Sequence, residues 1–169
     1  MDWDRCIHEK SSIDIYANLC EPLPFEENYA DTIVSFDVLE HLPEPELFLK
    51  ECYRILKIDG YLHLTVPFNW WVHEEPYDFY RFTKHGLKYL LNKVGFKQIQ
   101  IQETTGFWVM WFTKFNYYIQ RFYHFPLKML IKTIWITTQK IALLLDRSIF
   151  LYQPRETAGY YVNALKSYK

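Results

Sequence analysis

Two histidines and the acids around them are the residues of this chain best suited to proton chemistry near neutral pH. His41 directly follows Glu40. It could act as a base or hold a substrate by a hydrogen bond; held by its neighbours near a helix start, it could equally be structural. The second histidine lies in the most unusual stretch of the chain, WWVHEEPYDFYRFT, Trp70 to Thr83. Aromatic rings there alternate with His73, Glu74, Glu75, Asp78 and Arg81. Arg81 could pair with Asp78 or Glu75 and simply pin the loop. A metal held by His73, Glu74, Glu75 and Asp78 would lack a second histidine at helical spacing, so the sequence predicts no metal. Cys6, Cys20 and Cys52 are scattered and odd in number, and none is placed as a nucleophile.

These residues need elements to position them. TIVSF, Thr32 to Phe36, is a short β-branched and apolar run and predicts a buried parallel strand. Pro43 and Pro45 mark a turn and a helix start, with Pro45 at the first helical position. Phe48, Leu49, Cys52, Ile55 and Leu56 then share one helical face, with Glu46, Lys50, Glu51 and Arg54 mostly on the other. Asp59-Gly60 predicts the turn that closes this helical part, with Gly60 in a left-handed conformation. Tyr61 to Val66 predicts the second strand. A strand, a crossover helix and a strand make a parallel βαβ unit, and ligands of such sheets bind beyond the carboxyl ends of the strands. Phe36, Asp37, Glu40 and His41 follow the first strand there; Pro67, Phe68, Trp70, Trp71 and His73 follow the second.

Further on, Thr83 is a helix cap, Lys84 to Val94 a helix and Gly95 its stop. Gln98 to Gln102 alternates as a strand, and GYYVNALK reads as the last strand. Upstream, Ile13 to Leu19 alternates as a further strand. At 169 residues the chain is one domain, and 50% hydrophobic composition is ample for a core. A net charge of −1 gives no global field for nucleic acid. Three lone thiols suggest a reducing compartment, so a cytoplasmic location is expected. No uncharged apolar run reaches the roughly 18 residues of a membrane span.

Five pieces in order carry a family resemblance: Leu23-Pro24-Phe25, the acidic turn at Asp31, the apolar strand, Leu39-Glu40-His41, and Leu56-Lys57 to Gly60. Together they resemble the central part of class I S-adenosylmethionine-dependent methyltransferases of the type 11 kind, from Met1 to about Gln102, with Tyr160 to Lys166 as the family's last strand. The resemblance implies an α/β fold: a Rossmann-like three-layer sheet, mostly parallel with an antiparallel last strand. It implies S-adenosyl-L-methionine as cofactor. Asp2 would accept from the ribose hydroxyls, with Asp4 as the alternative acid. Asn18 and Leu19 would read the adenine edge, where the family often has an acid-Leu pair. Ser35, Phe36 and Asp37 would lie against the cofactor. Residue by residue, each also has a plain structural reading: Asp2 as an exposed terminal acid, Asn18 as a turn former, Phe36 as core.

The loop also resembles a methyltransferase subgroup with a His-x-x-Pro-x-Asp-Tyr-x-Arg-aromatic-Thr pattern, matched by His73, Pro76, Asp78, Phe79, Arg81, Phe82 and Thr83, with Phe79 for the usual Tyr. The resemblance implies that Arg81 clamps an anionic group and that His73 orients or deprotonates a hydroxyl, with Trp71 and Tyr80 on the acceptor side and His41 as the other catalytic candidate. No Asn-Pro-Pro-aromatic amine-methylation motif is present, which tilts the expectation to an oxygen of a small molecule, sugar or lipid-linked glycan. The family's Gly-rich cofactor turn has no counterpart among Gly60, Gly86, Gly95, Gly106 and Gly159. The expectation is therefore a truncated domain whose isolated chain binds the cofactor poorly. Two rivals are a non-enzymatic interaction module of the same fold and a peripheral membrane protein.

Residues 105–158 form an insertion the resemblance does not fix. Phe107 to Phe125 carries ten aromatics. Pro126 to Leu145 predicts a helix with Leu127, Leu130, Ile131, Ile134, Ile141 and Leu145 on one face. Ordinary core packing, a lid over the acceptor, a dimer surface and an interfacial membrane contact are the competing readings.

Overall fold

The structure is a computed structural model that describes residues 14–124, 126–148, 151 and 155–168. Its elements run β1 (Ala30–Phe36), α1 (Pro45–Ile55), β2 (Leu56–Pro67), α2 (Lys84–Val94), β3 (Lys97–Glu103), α3 (Phe107–Ile119), α4 (Lys128–Asp146) and β4 (Gly159–Leu165). Four strands form one sheet in the order β1-β2-β4-β3. β1 and β2 are parallel. β4 is the antiparallel strand: its last residues meet the start of β2 through Lys166 and Gly60, as an expected last strand should.

The chain divides into two compact units. One holds the sheet with α1 and α2 (residues 1–67, 71–102 and 160–169); the other holds α3 and α4 (68–70 and 103–159). In the first, Phe48, Leu49, Cys52 and Ile55 of α1 are buried, as their spacing predicts. Leu62, Leu64 and Val66 of β2 and Val162 and Ala164 of β4 complete the centre of that core. Apolar burial of this kind is the main favourable term in holding the layers together. α2 spans the expected residues. Thr83 caps it by accepting the Gly86 N–H, and Gly95 stops it at φ 122°.

Three expectations change. The α1 helix ends at Ile55, and β2 begins at Leu56. Asp59-Gly60 therefore lies inside the strand, as an irregularity that shifts register between Ala30 and Thr32. Asp59 takes the left-handed conformation (φ 64°). Gly60 is needed for a different reason: a Cβ there would meet the carbonyl oxygens of Asp31 and Lys57 at 2.9 Å.

The strand expected over Ile13 to Leu19 is absent among its described residues, which hold only a single bridge at Tyr16. Asn18 turns the chain there. Its Oδ1 accepts the Cys20 N–H, and its Nδ2 donates to Glu21. Such side-chain bonds compete with the strand ladder.

In the second unit, α4 runs over Lys128–Asp146, and its inward stripe is the expected one only in part. Ile131 is buried and Ile134 and Leu145 are half-buried, but Leu127, Leu130 and Ile141 are exposed and Ala142 is buried in their place. Polar pairs set the rotation: Thr138 donates to Asn116 Oδ1 and Gln139 donates to Thr113. Asp146 accepts the N–H groups of Trp108 and Val109 at the start of α3, and it fills the space a side chain at Gly106 would need.

Candidate active site

The chain leaves β1 through Asp37, which has a left-handed backbone (φ 50°). Its N–H and carboxylate both bond Thr65 of β2. A short 3-10 turn, Leu39–His41, follows and buries Leu39 and Glu40. The loop after β2 folds back over this turn, because the N–H groups of Phe79 and Tyr80 both donate to the Glu40 carbonyl, at 2.9 and 3.2 Å. Histidines 32 positions apart in sequence thus become neighbours: the His41 and His73 rings meet edge to face, 4.9 Å between centroids.

Each ring is held by its Nδ1. The His41 Nδ1 lies 2.8 Å from the Tyr77 carbonyl oxygen. A carbonyl only accepts, so this nitrogen carries the proton and Nε2 keeps its lone pair. The His73 Nδ1 lies 3.2 Å from the Asp78 carboxylate, 3.3 Å from the Trp71 carbonyl and 3.3 Å from Arg81 Nη2, so acceptors and a donor both face it. Asp78 also accepts the His73 backbone N–H at 2.8 Å.

Arg81 binds Asp78 through both terminal nitrogens, at 2.5 and 2.7 Å, and also donates to the carbonyls of Trp71 and Tyr80. Hydrogen bonds from this guanidinium hold the Asp78 carboxyl down at about 2, against the effect of burial. Arg81 thus pins the loop, and an anionic substrate would have to compete with Asp78 for the fork.

Glu40, which the sequence places at the carboxyl end of the first strand without giving it a role, is the third member of this cluster. Its side chain is fully buried, and neither carboxyl oxygen has a hydrogen-bond partner among the described residues. Burial pushes its pKa up to about 8. Repulsion from Asp37 and Asp78 adds to this, while the nearby Glu40 backbone N–H and Arg81 oppose it. Oε1 lies 3.7 Å from His41 Nε2 and 4.0 Å from His73 Nε2. Glu74 Oε2 stands 3.8 Å from His41 Nε2 on the solvent side. The signals in the sequence were its place after the first strand and the Leu39-Glu40-His41 segment; its burial was not among them.

The remaining candidates are spread out. Trp71 is exposed, and its carbonyl serves Arg81. Tyr80 is exposed, and its hydroxyl donates to the Pro43 carbonyl at 2.9 Å. Ser35 is buried, whereas Phe36 presents more than half its surface. Both line an apolar groove of about 350 Å³ with Leu19 and Val38. The groove runs the whole length of β1, to Tyr29 and Ala30, so most of it is packing surface. Its end at Leu19, Ser35, Phe36 and Val38 suits a flat heteroaromatic ring, which the exposed Phe36 could stack on. Asn18 spends its amide on the local turn. Asp2 lies outside the described residues.

Residues 3–64 match a family model described as a methyltransferase domain. Over 92 residues the chain is 32% identical to the 2-methyl-6-phytyl-1,4-hydroquinone methyltransferase of Spinacia oleracea, covering 52% of this chain and 27% of that protein. Over 51 residues it is 41% identical to a probable S-adenosylmethionine-dependent methyltransferase of Mycobacterium tuberculosis, covering 30% of this chain and 18% of that one. The chain thus spans roughly a quarter or less of these relatives. In fold it resembles a Haemonchus contortus phosphoethanolamine N-methyltransferase solved with S-adenosylhomocysteine (TM-score 0.56, 17% identity, 90% of this chain and 37% of that chain). It also resembles the [4+2]-cyclase SpnF (TM-score 0.58, 15% identity, 92% and 57%), a reminder that the fold alone does not fix the reaction. S-adenosyl-L-methionine is the family's cofactor, and the apolar, hydroxyl-edged end of the groove fits its ring. Motif order, sheet topology and the match over residues 3–64 together make the chain similar to class I S-adenosylmethionine-dependent methyltransferases.

Proposed function

We propose that the protein methylates an oxygen of a small-molecule, sugar or lipid-linked glycan acceptor held over the carboxyl ends of β1 and β2. One observation carries the reading: His41 and His73 both have Nδ1 engaged, and both bring Nε2 to within 4.0 Å of the Glu40 carboxyl. Bound S-adenosylmethionine supplies an electrophilic methyl group. The residues of this chain must then hold an acceptor hydroxyl in line with that methyl and take its proton. In this reading Leu19, Ser35, Phe36 and Asp37 face the cofactor, joined by Asp2 and Asn18. Trp71 and Tyr80 flank the acceptor, and Arg81 keeps the loop in shape.

The test is titration of S-adenosylmethionine into the chain by calorimetry, followed by assay of S-adenosylhomocysteine release with hydroxylated acceptors. Saturable cofactor binding, with release lowered about 10²–10⁴-fold in His41→Ala or His73→Ala, is expected for a lost acid–base group. Unchanged release in both variants would remove the histidines from the chemistry.

A cytoplasmic location with peripheral membrane contact belongs to the same proposal. No described helix is long and apolar enough to cross a membrane. Yet Trp111, Tyr118, Met129, Leu130 and Leu144 of α3 and α4 are exposed, and such side chains can enter an interface. Sedimentation with anionic vesicles at low salt is the expected result; a protein that stays in the supernatant lacks this contact.

A further inference from the structure

Two imidazole nitrogens and a buried carboxyl that converge on one point can serve a proton or a cation. A proton needs only one of the histidines. Here three potential donor atoms, one each from Glu40, His41 and His73, lie within 4.8 Å of one another. We infer that Glu40, His41 and His73 form a binding site for a divalent first-row transition ion such as Zn²⁺ or Mn²⁺.

Four features support the site. Both imidazoles are oriented by an Nδ1 contact, one to the Tyr77 carbonyl and one to the Asp78 carboxylate. This is the arrangement that fixes the tautomer of metal-bound histidines. The Glu40 side chain is fully buried and has no hydrogen-bond partner among the described residues, an expense that a bound cation would remove. The spacing is near what a cation needs. Donors at about 2.1 Å from a tetrahedral ion stand roughly 3.4 Å apart, and Glu40 Oε1 is 3.7 and 4.0 Å from the two Nε2 atoms. Closure from distances of up to 4.8 Å to this spacing is a movement of about an ångström, within the reach of side-chain rotation. Finally, two imidazoles and one carboxylate suit first-row transition ions better than Mg²⁺ or Ca²⁺, which prefer all-oxygen sites.

Glu74, half-exposed and 3.8 Å from His41 Nε2, is within reach as an additional ligand. An open position on the ion would face the loop, where it could polarise an acceptor hydroxyl. Cation binding does not depend on the methyl-transfer reading and is measured without cofactor.

The experiment is calorimetric titration of Zn²⁺, and separately Mn²⁺, into the chelator-treated full chain, with folding of every variant checked by circular dichroism. One equivalent should bind, with affinity reduced at least tenfold in His41→Ala and in His73→Ala. X-ray absorption at the zinc edge of the unsubstituted protein should show two imidazole nitrogens, which keeps the test decisive if a variant fails to fold. Absence of binding overturns the inference. So does binding that both substitutions leave intact, which would mark it as adventitious at other surface histidines. A zinc spectrum without imidazole scattering overturns it as well.

Discussion

Two carboxylates eleven residues apart, Glu40 and Glu51, sit at opposite ends of the same βαβ unit and meet opposite fates. Glu51 is fully served. It accepts from Arg54 Nε and Nη2 and from the Leu23 N–H, and these bonds keep its pKa below the ordinary value. Arg54 in turn donates to the carbonyls of Phe25 and Leu23. Lys166 nearby donates to Asn28 and to the carbonyls of Arg54 and Leu56. At that end every charge is matched to the backbone it ties down. Glu40 is more deeply buried, has no hydrogen-bond partner among the described residues, and its pKa is raised to about 8. A fold that satisfies a part-buried carboxylate this thoroughly at one end, and leaves a fully buried one orphaned between two histidines at the other, separates structural charge from functional charge.

The largest expected effect lies at the satisfied end. Arg54→Ala strips two partners from Glu51 and two carbonyls of their donor. It should cost on the order of 2–4 kcal/mol in denaturant unfolding. A loss below about 0.5 kcal/mol would mean that this network is ornamental and would erase the contrast.

Glu40→Gln should act in the other direction, and only at higher pH. The unfolded carboxyl titrates near 4.5, the folded one near 8. Between those values the native state holds the extra proton, so metal-free stability falls as pH rises through the window. Asp37 and Asp78 deepen that fall; Arg81 opposes it. His41 and His73 face the same group. The substitution should therefore raise stability at pH 8 by a few kcal/mol at most, with no gain near pH 4.5. Equal stability of the two proteins across this range would show that Glu40 is not held protonated.

The smallest effect concerns the loop. Arg81→Lys replaces a two-pronged contact with a point charge. The Asp78 carboxyl should rise from about 2 toward the ordinary range, with roughly 1 kcal/mol of stability lost. NMR titration of Asp78 reads the shift, and an unmoved value would shift credit from the guanidinium to the His73 N–H.

How much of this was legible beforehand depends on range. The crossover unit, α2 with its Thr83 cap and Gly95 stop, and the two strands that close the sheet were all readable. Their signals lie within a dozen residues: periodicity, a capping hydroxyl, a glycine. The strand expected around Ile15 failed because one amide, Asn18, made a turn that alternation cannot reveal. The α4 stripe was partly misassigned because the apolar moment ignores Thr138 and Gln139, whose hydrogen bonds to α3 decide which side faces in.

The sequence by itself carried the methyltransferase resemblance, the crossover unit with α2 and the closing strands, and the placement of His41 and the Trp70–Thr83 loop after the carboxyl ends of two parallel strands. These follow from local patterns and motif order. Only the tertiary structure decided that His41 and His73 share one site, that Glu40 sits orphaned between them, and that Arg81 is spent on Asp78. Those facts depend on a loop folding back onto the Glu40 carbonyl through two backbone hydrogen bonds, and no spacing along the chain encodes a contact made across 32 residues.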